Sequence, residues 1–214
     1  MKKSLRAQSG PLDRRRIALA ALDLIDEEGL EALSMRKLGA RLGVEAMALY
    51  HHFPDKAHLL DVVAELLLKD VKAPASGDWR KRLAIAARRY RQVAVDHPNA
   101  FALLTTRRTA GPNAHAAFEG ILAVLMDAGF KGSKLAKAFR LVGYFSGGAG
   151  HAEIATREGS TVAARGDRRG ADAEAFPLLA SVQPHFSADR LDAIFEFGLS
   201  AIIGALEREL SEKS

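Results

Sequence analysis

Residues 34–53 read SMRKLGARLGVEAMALYHHF, and this stretch decides the fold of the N-terminal part of the chain. Two short stretches with apolar residues at helical spacing lie on either side of a Gly-Val dipeptide. This pattern is typical of two helices joined by a tight turn. Ser34 offers an N-cap oxygen for the first helix, and Gly43 supplies the positive φ that the turn needs. Gly39 is small enough for the second helix to approach closely. The spacing predicts a DNA-binding helix-turn-helix or, alternatively, an ordinary helical hairpin.

The rest of the chain carries the same helical pattern, with apolar residues at three- and four-residue spacing between Gly and Pro breaks. The pattern predicts helices over residues 13–28, 45–52, from 55 to a break at 73–77, 79–95, 100–107, 113–128, 133–157, 176–182 and 187–209, with a mobile loop at 158–171. Because strand-like alternation and 20–50-residue repeats are absent, we expect an all-α fold. We divide the chain into a DNA-binding part at 1–60 and a helical part at 61–214.

Composition excludes several classes of function. The chain has 214 residues and no Cys, so disulfides, zinc fingers and thiol catalysis are excluded. No apolar run reaches the roughly 20 residues that cross a bilayer, and the basic N-terminus lacks a signal-peptide core, so we expect a cytoplasmic protein without a membrane partner. The first 16 residues hold six basic side chains against one acidic one, which accounts for the whole net charge of +5. Such an arm predicts either contact with a polyanion or a solvated tail.

The seven histidines raise the alternative of a metal site or an enzyme. No H-x₃-H or H-E-x-x-H pair exists, so we expect no metal, no cofactor and no catalysis. We interpret His97 as a cap or pocket-rim group, and His151 with Glu153 as a surface pair. Residues 147–150 (Gly-Gly-Ala-Gly) lack the context of a phosphate loop and indicate a close helix crossing. A small helical hydrolase or transferase, and an interaction module whose helix pair is architectural, stay open as alternatives.

Longer stretches of the sequence resemble one known family. Residues 43–60 (GVEAMALYHHFPDKAHLL) resemble the signature of the tetracycline-repressor (TetR) family, in which a Gly-Val turn leads to Leu-Tyr, an aromatic-or-His pair and a Lys that opens the next helix. Residues 24–30 (LIDEEGL) resemble the family's first helix and its stop, and residues 197–207 (FGLSAIIGALE) its last helix. Residues 127–130 and 143–145 also resemble segments of that branch. The resemblance implies a three-helix DNA-binding domain joined by a long helix to a larger ligand-binding and dimerisation domain.

The resemblance also implies roles for individual residues at the DNA. Lys56 and Tyr50 match positions that contact phosphates, and Arg36 matches one that reads a base. The full set of implied DNA-binding residues is Ser34, Arg36, Lys37, Glu45, Ala46, Met47, Ala48, Tyr50, His51, His52 and Lys56. Residues 46–48 occupy the main base-reading positions but are apolar here, and such side chains meet thymine methyls rather than forming bidentate hydrogen bonds. We therefore expect an operator that differs from the tetracycline operator.

A ligand cavity among the central helices is a further implication of the resemblance. Apolar walls with a few polar groups are typical of such a cavity, although plain core packing explains the same residues equally well. The candidates are Phe101, Leu104, Thr105, Thr106, Arg107, Phe118, Leu122, Tyr144 and Phe145. The family's magnesium–tetracycline site uses a His and a Glu, but the nearest positions here are Leu103 and Ala152, with Glu153 adjacent. We therefore do not expect tetracycline as the effector.

The last helix predicts a homodimer. Its apolar face is wider than one core needs, and it comprises Leu191, Ile194, Phe195, Leu199, Ile202, Ile203 and Leu206. Together with the preceding long helix it indicates a four-helix interface between two copies. Two recognition helices one DNA turn apart read a palindrome. The sequence thus predicts a homodimeric transcriptional repressor that a small-molecule effector releases from double-stranded, palindromic operator DNA.

Overall fold

The computed structural model describes residues 11–107, 111–163, 174–185 and 187–211, and within these ranges it contains ten α-helices and no strand. The expected all-α fold is confirmed. The helices are α1 (Arg14–Glu28), α2 (Met35–Leu42), α3 (Ala46–Tyr50), α4 (Lys56–Leu68), α5 (Trp79–Asp96), α6 (Leu103–Thr106), α7 (Pro112–Asp127), α8 (Gly132–Ala163), α9 (Pro177–Val182) and α10 (Leu191–Ser211). None of these helices, within the described ranges, is both long and apolar enough to span a membrane.

Side-chain caps start three of the N-terminal helices. The carboxylate of Asp13 accepts from the backbone N–H of Arg16 at 2.6 Å, and that of Asp55 accepts from the N–H of His58 at 2.9 Å. The hydroxyl of Ser34 accepts from the N–H of Lys37 at 3.2 Å. Each bond satisfies one of the backbone donors left open in the first helical turn. The predicted cap at Ser34 is confirmed, and the cap at Asp55 lies where the pattern predicts that a helix starts.

Two predicted boundaries differ from the structure. The loop expected at 158–171 is wrong at its start, because α8 continues to Ala163, and residues 164–171 lie outside the described ranges. A single helical Gly costs only about 1 kcal/mol, so Gly159 does not end a long helix. The helix expected at 100–107 is shorter in the structure, where it comprises only α6, because residues 97–102 form hydrogen-bonded turns before it.

Contacts divide the chain into two compact units. The first comprises the described residues up to Lys72 together with Asp96–Gly120, and the second comprises Ala73–Val95 with the described residues from Ile121 onward. The described residues of the segment 96–120 therefore pack with the N-terminal helices, whereas the linear division at residue 60 places this segment in the helical part. In the first unit, fully buried side chains come from α1 to α4 and from the returning segment: Ile17, Leu24, Ile25, Leu38, Leu49, Phe53, Leu59, Phe101 and Leu103.

The second unit has a helical core of its own. Its buried residues come from α5, α7, α8 and α10 and from the turn after α7: Leu83, Val124, Leu125, Phe130, Ala138, Val142 and Leu206. A smaller cluster joins α5 to α10, where the Phe145 and Phe195 rings stack with centroids 5.4 Å apart. Gly198 is required there, because a Cβ at this position would lie 2.6 Å from Phe145 Cε2. The core therefore fixes the relative positions of α5, α8 and α10.

Ion pairs reinforce the second unit. Arg91 on α5 donates to the carboxylates of Glu153 on α8, at 2.5 and 2.8 Å, and of Asp192 on α10, at 2.7 Å. Arg157 Nε donates to the other oxygen of Glu153 at 2.7 Å. The interpretation of His151 and Glu153 as a surface pair is wrong, since Glu153 is only 1% exposed. A carboxylate so deeply buried is retained because two guanidinium groups occupy both of its oxygens.

Candidate nucleic-acid interface

Two glycines shape the turn between α2 and α3. Gly43 adopts φ +70° and ψ 30°, the left-handed conformation that ends α2, as the sequence predicts. Gly39 lies where the backbone of α3 approaches α2. A Cβ at Gly39 would be 2.8 Å from the carbonyl oxygen of Val44 and 3.2 Å from the nitrogen of Ala46. The predicted close approach is therefore present, and it is a contact between two backbones.

Ion pairs connect the C-terminal turn of α1 to α2. Arg41 forms a bidentate pair with the Glu27 carboxylate, with N–O distances of 2.6 and 2.7 Å, and Lys37 pairs with Glu28. The hydrogen bonds from Arg41 hold the pKa of Glu27 below its ordinary value. Burial raises the pKa of the neighbouring Asp23 above its ordinary value. Two of the three cations on α2 are therefore engaged by the protein itself.

One side of α3 is exposed, and we call it the outer face of α3, defined by Met47, Tyr50 and His51. These residues stand at i, i+3 and i+4, so they share one helical face, and Met47 is 68% exposed. The opposite side carries Leu49, which is completely buried. Ala46 and Ala48 flank the outer face and are half-buried, and Glu45 is exposed and forms no side-chain cap. The predicted base-reading residues thus lie together on one short helix.

Cations near α2 and α3 differ in their availability. Arg36 is exposed, and it forms no ion pair in the described part of the chain. Lys56 is the first residue of α4 and likewise has no carboxylate partner within the described ranges. Lys37 is engaged by Glu28, and the hydroxyl of Ser34 is used as a cap. Arg36 and Lys56 are therefore the cations in the predicted set that remain available to an anion.

Arg14 contributes to the structure of this region, although its sequence position indicates only one charge of the basic arm. Its guanidinium lies over the Phe53 ring, 4.3 Å from the centroid, and it donates to the carbonyl oxygen of His52. The start of α1 is thereby attached to the turn after α3. An Arg in the first turn of α1 gives no sequence signal for this contact, since the two segments are 38 residues apart. Lys2, Lys3 and Arg6 of the arm lie outside the described residues.

The pocket candidates in the first unit occupy α6, α7 and the turn before α6. Phe101 is completely buried, and Leu104 and Phe118 are half-buried. The exposed hydroxyls of Thr105 and Thr106 both donate to the Ala102 carbonyl oxygen, at 3.1 and 2.8 Å. Arg107 is half-buried and lies 3.5 Å from Asp61 on α4.

The pocket candidates in the second unit have dissimilar surroundings. Leu122 on α7 is half-buried, and Phe145 is packed into the smaller cluster of α5 and α10. Tyr144 is 70% exposed, and the Arg140 guanidinium lies 5.9 Å from its ring centroid. The structure thus places Phe145 and Tyr144, although adjacent in sequence, in different environments.

Two of the histidines contact carboxylates. His58 Nδ1 lies 2.9 Å from Asp55 Oδ1, and this contact is the main reason that the pKa of Asp55 lies below its ordinary value. His97 Nδ1 lies 2.7 Å from Asp26 Oδ2, which joins the turn after α5 to the side chain of a residue on α1. No group of three or more potential metal ligands occurs among the described residues.

Fold and surface together define a class of protein. A short exposed helix that packs against the helix before it, followed in the sequence by a longer series of helices, is the arrangement of a helix-turn-helix transcriptional regulator. The family model for bacterial regulatory proteins of the tetR family matches residues 17–63, and the model for the tetracyclin repressor-like C-terminal domain matches residues 73–210. The chain belongs to the TetR family and is a sequence-specific DNA-binding transcriptional regulator.

Individual relatives agree with this assignment. An HTH-type transcriptional regulator of Saccharopolyspora erythraea is 34% identical, over 91% of this chain and 84% of its own. The class A tetracycline repressor from transposon 1721 of Escherichia coli is also 34% identical, over 88% of each chain. Among solved structures, ActR of Streptomyces coelicolor in complex with actinorhodin has a TM-score of 0.80, with 28% identity over 96% of this chain and all of its own.

Proposed function

We propose that the protein is a homodimeric, cytoplasmic repressor, without enzymatic activity, that binds a palindromic operator and leaves it when a small-molecule effector binds. The observation that carries this proposal is the outer face of α3, which is exposed while Leu49 on the opposite side of the helix is completely buried and α3 packs against α2. A helix presented in this way fits the major groove of DNA, where side chains reach base edges.

Within the predicted DNA-binding set, the structure supports a division of roles. Arg36 and Lys56 are the available cations, and we assign them to base and phosphate contacts respectively. Tyr50 and His51 extend from the outer face of α3 and supply hydrogen-bonding groups beside Met47. We assign Ser34 and Lys37 to holding α2 in place, because their polar groups are already bonded within the protein. Glu45, Ala46, Ala48 and His52 stay in the proposed interface as neighbours of the outer face.

Exposed apolar side chains support the dimer. On α8, Leu141 and Tyr144 share a face with Gly148, and on α10, Ile194 shares a face with Phe197, which is 78% exposed. Gly143, Gly147 and Gly148 have no atom within 4 Å of an added Cβ, which leaves room on α8 for another helix. Apolar faces of this kind on two adjacent helices suit a four-helix interface with a second copy.

Similar proteins that bind small molecules support the proposal that an effector binds this chain. ActR of Streptomyces coelicolor has been crystallised with actinorhodin, and several curated relatives are tetracycline repressors. By analogy we propose that an organic small molecule is bound in the helical region after α4 and shifts the population toward a form that no longer fits the operator. The pocket residues named from the sequence remain candidates for that site.

Selection from a random duplex library, followed by binding measurements at several salt concentrations, tests the DNA-binding part. Each phosphate contact releases counterions, so the logarithm of the binding constant falls linearly with that of the salt concentration. We expect Lys56→Ala, which removes one phosphate contact per protomer, to weaken binding to every duplex and to reduce the salt slope by about two in the dimer.

Lys131→Ala is the matched control, because Lys131 is an exposed lysine without an ion pair in the described ranges and lies outside the helix-turn-helix. We expect this variant to keep both the affinity and the salt slope. A Lys56→Ala protein that binds like the wild type would remove Lys56 from the interface. A wild-type protein that selects no duplex would refute the proposed operator binding as a whole.

A further inference from the structure

The side chains on and beside the outer face of α3 lack the groups that usually read bases by paired hydrogen bonds. Those contacts come from Arg or Lys at guanine and from Asn or Gln at adenine. Here the residue that projects furthest is Met47, and its neighbours Ala46 and Ala48 are half-buried methyl groups. None of the three donates a side-chain hydrogen bond. The centre of the proposed interface is therefore apolar, while its margins carry polar and cationic groups.

One feature of DNA complements such a surface. In the major groove, the C5 methyl group of thymine is the apolar group that distinguishes a base pair, whereas the other edges present donors and acceptors. An unbranched thioether side chain adapts its shape to an apolar neighbour, so Met suits a contact with a methyl group better than a stiff β-branched residue does. Lys56, at the start of α4, suits a phosphate of the same duplex, and Arg36 on α2 suits the base contact assigned to it.

We propose that the outer face of α3 reads thymine methyl groups in the major groove, and that Met47 is the residue that determines this specificity. The inference rests on the proposed operator binding and adds the chemical feature of the operator that is recognised. Met47 approaches one thymine methyl in each half-site, and the short side chains of Ala46 and Ala48 leave room for the same methyl group. The operator half-site accordingly carries a thymine at the position that Met47 faces.

Deoxyuridine provides the test, because it retains every hydrogen-bonding group of thymine and lacks only the methyl. The probes are the duplex that the wild type selects from a random library and versions with deoxyuridine at one thymine position of each half-site. Loss of one methyl contact is worth about fourfold in affinity, and two symmetric contacts about fifteenfold. We expect this loss at one position per half-site, with the other positions unaffected.

Two variants distinguish a contact from an effect of the methyl on DNA shape. Met47→Ala removes the side chain, so its affinities for the thymine and deoxyuridine duplexes should become equal. Met126→Ala is the control, since Met126 is also exposed, at 57%, but lies on α7 outside the interface, and it should keep the wild-type ratio. The proposal is overturned if the wild type binds both duplexes equally or if Met47→Ala retains the discrimination.

These measurements distinguish a failure of methyl reading from a failure of operator binding. If the wild type selects a salt-sensitive duplex and ignores the methyl groups, operator binding stands and methyl reading is wrong. If the wild type selects no duplex at all, operator binding itself is refuted, and methyl reading falls with it. Met47→Leu adds a further check, because an apolar side chain of similar volume should restore most of the discrimination that Met47→Ala loses.

Discussion

Gly39 is the residue on which the angle between α2 and α3 depends. In a helix without close neighbours, replacing Gly by Ala stabilises by about 1 kcal/mol. At Gly39 the added Cβ would meet the backbone of Val44 at 2.8 Å, and a backbone cannot turn aside as a flexible side chain does. We therefore expect Gly39→Ala to lower the free energy of unfolding by about 1–3 kcal/mol, measured by urea denaturation.

The sign of the change in the free energy of unfolding shows which effect dominates, because helix propensity favours Ala at this position and steric overlap disfavours it. Ala40→Ser is the control at the next position, which is exposed, and it should change the free energy of unfolding by less than about 0.5 kcal/mol. A Gly39→Ala protein more stable than the wild type would mean that α3 does not approach α2 as described.

Residue-level features were predictable from the sequence where they depend on local chemistry. The caps at Ser34 and Asp55 and the positive φ of Gly43 follow from short-range hydrogen bonding and sterics, and all three are present. Which cations stay available was not predictable, because Lys37 and Arg36 are adjacent and only the former meets a carboxylate from α1. Contacts across distant segments decide such questions, and sequence spacing does not encode them.

At the scale of elements, α4 and α7 are joined by a single carboxylate. Glu65 on α4 accepts from the backbone N–H groups of Gly111, Asn113 and Ala114, at 3.0, 2.9 and 3.3 Å. The Asn113 amide donates in return to the Glu65 carbonyl oxygen at 3.0 Å. The first turn of α7 is thus capped by a side chain of the helix that begins at Lys56. No local signal in the sequence indicates a cap contributed from 46 residues away.

We expect Glu65→Ala to destabilise the first unit by about 1–2 kcal/mol, because three backbone donors lose their acceptor. Glu65→Gln, which keeps an acceptor oxygen but not the charge, should fall between this variant and the wild type. Hydrogen exchange of the Asn113 and Ala114 amides measures the effect directly, and both should lose protection. Glu119→Ala changes an exposed carboxylate on the same helix and should leave these amides protected. Unchanged protection in Glu65→Ala would contradict the capping role.

Elements differed in how well their limits could be predicted. The starts of α1, α2 and α4 follow from their caps, whereas the end of α8 was placed too early at a Gly-containing segment. Propensity describes the cost of a residue in a helix, but packing along the whole element decides whether the helix continues. The grouping of residues 96–120 with the first unit likewise depends on tertiary contacts, such as the Asp26–His97 pair and the Glu65 cap.

At the scale of the whole molecule, the proposed dimer depends on surfaces that one protomer leaves uncovered. The sequence predicted a wide apolar face on α10, and the structure divides it, burying Phe195, Leu199 and Leu206 while Ile194 is exposed. Phe197, which lay outside the predicted face, is the most exposed apolar residue on this helix. Periodicity alone does not separate core from interface, because both require the same residue types.

Replacing Phe197 by Asp tests the dimer while sparing the protomer. The side chain is exposed, so the change should leave the free energy of unfolding within about 0.5 kcal/mol, whereas a charge buried in an apolar interface should favour the monomer strongly. Sedimentation of the full chain should then show a monomer, and operator affinity should fall, because two recognition helices about 34 Å apart are no longer linked. Met126→Asp, an equally polar change at an exposed apolar site outside α8 and α10, should remain dimeric. If Phe197→Asp stays a dimer and binds DNA normally, the exposed face of α10 is not the interface, and the two half-sites must be linked by another surface.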